Sequence, residues 1–226
     1  MSEANRRAAY LGALGIDQWV PRRPVAVPAP APSAAPAVDE WSVLETCVRD
    51  CVRCGLHRGR TQTVFGSGSR TAEWMVVGEA PGAEEDRQGE PFVGPAGQLL
   101  TAMLGAIGLA RDAVFVANVL KCRPPENRDP KPEEVEQCLP YLAQQVALVR
   151  PRLIVAFGRV AAQNLLGTEA TLGSLRGTVH RFGPLNTPVV VTYHPAYLLR
   201  SPGEKRKAWE DLKFARQVHA GLPARS

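Results

Sequence analysis

Two sets of residues in this chain have the types and spacing to do chemistry. The first is four cysteines, Cys51, Cys54, Cys122 and Cys138, which read C-x2-C, a long gap, then C-x15-C. Four thiolates gathered from two distant segments satisfy either a structural zinc or a [4Fe–4S] cluster. In a mid-sized chain whose N-terminus lacks the apolar core of a secretory signal, the pattern favours metal over disulfides. Short spacing at both ends would favour zinc. Here the second pair is spread over a helix-length segment, which leans toward iron–sulfur without excluding zinc.

The second set is polar and stands where expected strands end. Trp74–Val77 runs into Gly78-Glu79-Ala80-Pro81-Gly82, a second strand ends at Asn118, and a fourth runs into His194-Pro195. A carboxylate, an amide and an imidazole on one sheet edge suit a planar polar heterocycle. The amide offers a donor and an acceptor, the imidazole donates to a carbonyl, and the carboxylate handles water or developing positive charge. Phe92 supplies a stacking face. Each residue alone has an ordinary role: Asn118 as a helix cap, His194 as a turn histidine, Phe92 as core. Their joint placement at strand ends favours a site.

The elements that must position them follow from the apolar runs. Trp74–Val77, Val114–Val119, Leu153–Phe157 and Pro188–Tyr193 read as buried strands. Helical patterns separate them over Gln98–Ile107, over Pro132–Val149 with a bend expected at Pro140, after the third strand, and around Glu204–Val218. Short apolar runs joined by helical crossovers predict a three-layer α/β/α domain with a central, mainly parallel four-stranded sheet. In such sheets ligands bind beyond the carboxyl ends of the strands. The chain divides into an amphipathic peptide at 1–23, a Pro/Ala-rich linker at 24–40 and the folded domain at 41–226.

Composition sets outer bounds. The chain has 226 residues, 45% hydrophobic and 22% charged, with a net charge of +5. Residues 1–40 balance Arg6, Arg7, Arg22 and Arg23 against Glu3, Asp17, Asp39 and Glu40, so the excess lies on the domain and suits a polyanionic partner. No apolar run approaches the roughly 18 residues a membrane span needs. A cytoplasmic monomer is expected. Cys47 adds a C-x3-C-x2-C reading, the spacing of radical S-adenosylmethionine enzymes, but that would strand Cys122 and Cys138, and the chain lacks the eight strand–helix repeats of a barrel. Cys47 is expected to be a bystander.

The stretches GEAPGAEEDRQGEPFVGPAGQLL (78–100), NVLKCRPPENRDPKPEEVEQC (118–138) and HPAYLLR (194–200) resemble the motifs of family 4 uracil-DNA glycosylases, the iron–sulfur members of that superfamily, over roughly residues 41–220. The resemblance implies the α/β/α glycosylase fold, a [4Fe–4S] cluster on Cys51, Cys54, Cys122 and Cys138, and base excision repair by removal of uracil from DNA. It implies that Phe92 stacks on the flipped base, Asn118 reads its amide edge, and His194 bonds the carbonyl between the ring nitrogens. Glu79 would be the catalytic carboxylate, with Glu85 a nearby candidate, while Gly78 to Gly82, Ala80 included, would meet uracil through the backbone.

The best-known uracil glycosylases carry aspartate and tyrosine where this chain has Ala80 and Gly82, so water activation falls to Glu79 or to electrostatics, and the exclusion of thymine is unexplained by sequence. The stretch Pro124–Pro130 lacks the histidine of a branch that traps uracil covalently. An intact abasic site is the expected product. Flipping the base out of the duplex requires a wedge, for which Tyr197, Leu198 or Leu199 are candidates, and phosphate contacts from Arg200 and the run Lys205-Arg206-Lys207. Tyr10–Trp19 with Arg22-Arg23-Pro24 resembles the N-terminal peptide of the bacterial clamp-loader psi subunit, which implies docking on the chi subunit. A replisome-associated uracil-binding module of weak activity is the alternative function.

Overall fold

The computed structural model describes residues 3–16 and 39–223. The chain separates into one unit before residue 38 and a much larger one after it. In the first, α1 (Glu3–Ala13) is a helix, with Tyr10, Leu14 and Ile16 exposed. Trp19, Arg22, Arg23 and the expected linker over 24–38 lie outside the described residues. Asp39 and Glu40, expected in the linker, instead begin the domain: the Asp39 side chain accepts from the Trp41 N–H at 3.2 Å and caps α2 (Glu40–Arg49).

Among the described residues the domain has six strands, not four. In chain order they are β1 (Ser67–Gly68), β2 (Trp74–Gly78), β3 (Phe115–Asn118), β4 (Leu153–Phe157), β5 (His180–Phe182) and β6 (Thr187–Thr192). Their order across the sheet is β1-β3-β2-β4-β6-β5. The four expected strands form the parallel centre, and the two additional ones are short antiparallel edges on β3 and β6. The edges escape sequence reading because two or three residues carry no alternation to detect.

Helices α3 (Ala83–Gln88), α4 (Pro95–Ala106), α5 (Pro132–Val149), α6 (Arg159–Leu166), α7 (Leu172–Leu175), α8 (Pro195–Arg200) and α9 (Lys205–Gly221) complete the domain. Helix α5 matches its expected bounds and continues through Pro140. The central strands are buried on both faces, so their side chains alternate between two cores. Met75, Val77, Ile154 and Ala156 face α2, α5 and α6. Trp74, Val76, Leu153, Val155 and Phe157 face α4, α8 and α9. This is the three-layer α/β/α arrangement.

The register aligns the strand ends. Gly78 pairs with Asn118 across β2 and β3, and Phe157 with Thr192 across β4 and β6. Beyond the ladder, the Val119 N–H donates to the Gly78 carbonyl at 2.9 Å and the Leu120 N–H to that of Glu79 at 3.0 Å. At the other end, Asp211 of α9 is buried and takes the Thr192 hydroxyl at 2.8 Å and two nitrogens of Arg176 at 2.7 and 2.8 Å. That bond anchors the strand from which His194 emerges.

Candidate active site and cysteine cavity

Gly78 is where the site begins. A Cβ there would stand 2.4 Å from Asn118 Oδ1 and 2.6 Å from the Phe92 ring, so only glycine lets these two side chains meet over the end of β2. Gly158, after β4, does the same for the histidine: it has φ +96°, and a Cβ would come within 3.0 Å of that of His194. Around these ends lies a cavity of about 420 Å³, lined by Glu79, Ala80, Glu85, Phe92, Asn118, His194, Tyr197 and Arg200, together with Asn127, Arg128 and Asp129 from the loop after β3. The three expected strand-end residues and the aromatic are brought together.

Asn118 is buried, and its Oδ1 has no hydrogen-bond partner. An acceptor left so costs about 1–3 kcal/mol. His194 is fixed in the opposite sense. Its Nδ1 accepts from the Ala196 N–H at 3.1 Å, which leaves the ring proton on Nε2 as a donor. Loss of water around the ring, with Arg200 repelling added charge, brings its pKa down to about 4, so the imidazole is neutral near pH 7. The Phe92 ring stacks on it, centroids 5.5 Å apart.

Phe92 holds a left-handed backbone, φ +56°, which a non-glycine residue adopts only under constraint. The constraint comes from both sides. Arg111 donates to the Pro91 carbonyl at 2.8 Å. Glu85 accepts from the Val93 and Gly94 N–H groups at 3.0 and 3.3 Å, and from the Gly82 N–H at 3.1 Å.

Glu85 is therefore occupied as a clamp on the two loops that line the cavity, rather than free as a second catalytic carboxylate. It stands third into α3 behind Gly82, the capping-box position. Its Oε2 would lie 2.7 Å from a Cβ at position 82, so this carboxylate occupies the space a side chain there would enter.

Glu79 is the carboxylate under tension. Burial, then the negative charge of Asp129, pushes its pKa up to about 7, and Arg159 opposes the shift. Arg159 also pairs with Asp129 at 2.9 Å. Asp129 and Arg159 were not anticipated from sequence; nothing in the Arg128-Asp129-Pro130 stretch signals its return to strand β2.

Of the expected wedge residues, Tyr197 and Leu199 are exposed, but Leu198 is 1% exposed and belongs to the core against α4 and α9. Leu198 cannot be the insert. It lies three residues after Pro195 on α8 and shares that residue's buried face. Arg200, Lys205 and Arg206 are exposed, and Lys207 is paired with Glu204 at 2.8 Å.

The cysteines form a second cavity. Cys51, Cys54, Cys122 and Cys138 line it together with Arg60 and Lys121. Arg60 donates to Cys122 Sγ and the Lys121 N–H to Cys138 Sγ, both at 3.2 Å. Burial pushes the Cys138 thiol up to about 11 and raises that of Cys122. Among the described residues, no three His, Cys, Asp or Glu side chains close into a cage for a metal ion. Cys47 is exposed and lines a different groove, between α2 and α5.

A model of the Uracil DNA glycosylase superfamily matches residues 65–213. The chain is 45% identical to the type-4 uracil-DNA glycosylase of Pyrobaculum aerophilum, over 75% of this chain and 89% of that protein. It is 48% identical to that of Archaeoglobus fulgidus, over 74% and 86%, and 40% identical to that of Thermotoga maritima, over 75% and 89%. With relatives of this identity over about three quarters of its length, the chain belongs to family 4 of the uracil-DNA glycosylase superfamily.

Proposed function

We propose that this protein removes uracil from DNA by hydrolysing the N-glycosidic bond, leaving an abasic site for base excision repair. The observation that carries the reading is the unpaired Asn118 Oδ1 inside the cavity. Uracil presents a donor at N3 between two carbonyls. Oδ1 takes the N3–H, the Asn118 amide donates to O4, and His194 Nε2–H donates to O2. Cytosine presents an acceptor at N3 and a donor at C4, so it sets like against like. Phe92 provides the stacking face, and the backbone of Gly78 and Ala80 closes the edge.

Cleavage leaves an anionic uracil and an oxocarbenium-like sugar. Asn118 and neutral His194 are preorganised donors for the anion. Ionised Glu79 positions water and offsets the cation. Tyr197 or Leu199 fills the gap left by the extruded base, while Arg200, Lys205 and Arg206 hold phosphates. Purified protein incubated with a uracil-containing oligonucleotide should yield alkali-labile sites; binding without cleavage would favour the uracil-binding module instead.

The four cysteines hold a [4Fe–4S] cluster in this reading. Four thiols from three segments face one cavity, and the N–H donors of Arg60 and Lys121 meet two of the sulfurs, as suits thiolate ligands. The cluster supplies a structural cross-link. In this reading the protein acts as a cytoplasmic monomer. No described helix is long and apolar enough to cross a membrane.

The peptide Tyr10–Trp19 with Arg22-Arg23-Pro24 docks on the clamp-loader chi subunit, supported by the exposure of Tyr10 near the end of α1 and of Leu14 and Ile16 just after it. Deleting residues 1–38 should abolish binding to purified chi and leave excision on oligonucleotides unchanged. Equal binding by both forms would remove the tail's assignment.

A further inference from the structure

Lys121 is fully buried, 1% exposed. A lysine enters a core only where its ammonium finds partners. Here Nζ donates to the Asn118 carbonyl at 2.8 Å and to Gln145 Oε1 at 2.6 Å. Gln145, itself 0% exposed, donates onward to the Phe65 carbonyl at 2.9 Å. The main chain of Lys121 is held too: its N–H meets Cys138 Sγ and its carbonyl accepts from the Val64 N–H at 2.8 Å. Cys138 and Gln145 are seven residues apart on α5, two turns, and so share a face. One helix face grips Lys121 at its backbone and at its tip. Strand β1 pairs only as far as Val116, two residues short of Asn118.

We infer that Lys121 is a positioning residue for base recognition: it ties the backbone of Asn118 to helix α5, so that the amide reading uracil is set from the cysteine side of the molecule. This rests on the assignment of Asn118 to the base edge. The ammonium does not line the active-site cavity, so it acts through Asn118 and takes no part in the bond cleavage.

The test uses full-length protein of matched iron content and DNA bearing a 2′-fluoro-deoxyuridine that resists cleavage. Lys121→Met keeps the stem and removes both bonds from Nζ. Its single-turnover excision should fall about 100-fold, as misplacement near 1 Å does. Its affinity should drop several-fold for the uracil-bearing DNA and stay unchanged for undamaged DNA. In an Asn118→Ala background, Lys121→Met should add no further loss of either quantity, because its effect runs through the missing amide.

Losses that add in the double variant, or equal weakening on undamaged DNA, would overturn the inference in favour of a general packing role. If Lys121→Met does not fold, Gln145→Met removes one anchor of Nζ and should show a smaller loss with the same dependence on Asn118; wild-type uracil affinity in that variant would overturn it. Should Asn118→Ala itself keep wild-type affinity for uracil, the base-edge assignment falls and the inference with it. Should Asn118→Ala lose that affinity while Lys121→Met keeps it, the tether alone falls.

Discussion

The two cavities share one short stretch of chain, from Asn118 to Cys122, yet treat their polar atoms in opposite ways. In the active-site cavity Asn118 Oδ1 is unpaired, Glu79 is lifted to about 7, and Phe92 is held at φ +56°. In the cysteine cavity Arg60 and Lys121 direct N–H groups at the sulfurs. A site that must bind and release keeps atoms unsatisfied until its ligand arrives. On the proposed cofactor assignment, donors of this kind would help retain what the four sulfurs hold.

The sharpest way to break that contrast is Asn118→Asp, which replaces the amide donor with a carboxylate facing the uracil anion. Excision should fall by at least about 10³-fold in single-turnover assays, and normal cleavage would remove Asn118 from the base edge. Glu79→Gln should lose about 10²–10³-fold in rate while raising thermal stability at pH 8. The sign follows from linkage: a folded-state pKa near 7, above the usual carboxylate value of 4.5, means that the ionised group opposes folding above pH 7. That gain should vanish below about pH 4, where Glu79 is protonated in both states. No stability gain at pH 8 would place Glu79 in water rather than in a desolvated pocket.

On the cysteine side, Cys138→Ser should discharge the visible iron–sulfur absorption and lower the melting temperature, whereas Cys47→Ser should change neither. A colourless wild-type protein with stoichiometric zinc would keep the four ligands and replace the metal. The smallest effect is expected from Asp129→Asn. Asp129 raises the Glu79 pKa, so removing its charge should move the acid limb of kcat/KM to lower pH, and Arg159→Met should move it upward. Limbs that stay in place in both variants would assign the titration to another group.

The parallel centre of the sheet was legible because strands buried on both faces read as unbroken apolar runs, and α5 because Pro132 and two acids open it and its pattern persists to Val149. The site residues at strand ends were legible by the same token, since locating a strand locates its terminus. What stayed hidden depends on side-chain direction. Leu198 and Leu199 are adjacent and chemically alike, and only the phase of the short helix α8 buries one and exposes the other. Lys121 sits between a strand and a cysteine, where a lysine reads as solvated, and its burial is visible only once α5 is packed. Asp129 reaches Glu79 through space, not through sequence.

The cysteines also define a ring in the chain. Between Cys54 and Cys138 run β1, β2, α3, α4 and β3, so Gly78, Glu79, Phe92 and Asn118 all lie inside the loop that a bridge among these cysteines closes, while His194 lies outside. Such a bridge lowers the entropy of the unfolded chain most for long loops. On the proposed base contacts, the two halves of uracil's recognition edge would be held by different means: N3 and O4 by a residue within the ring, O2 by a residue on the open chain beyond it. Loss of the bridge would loosen the first half and leave the second anchored by Asp211 and Thr192.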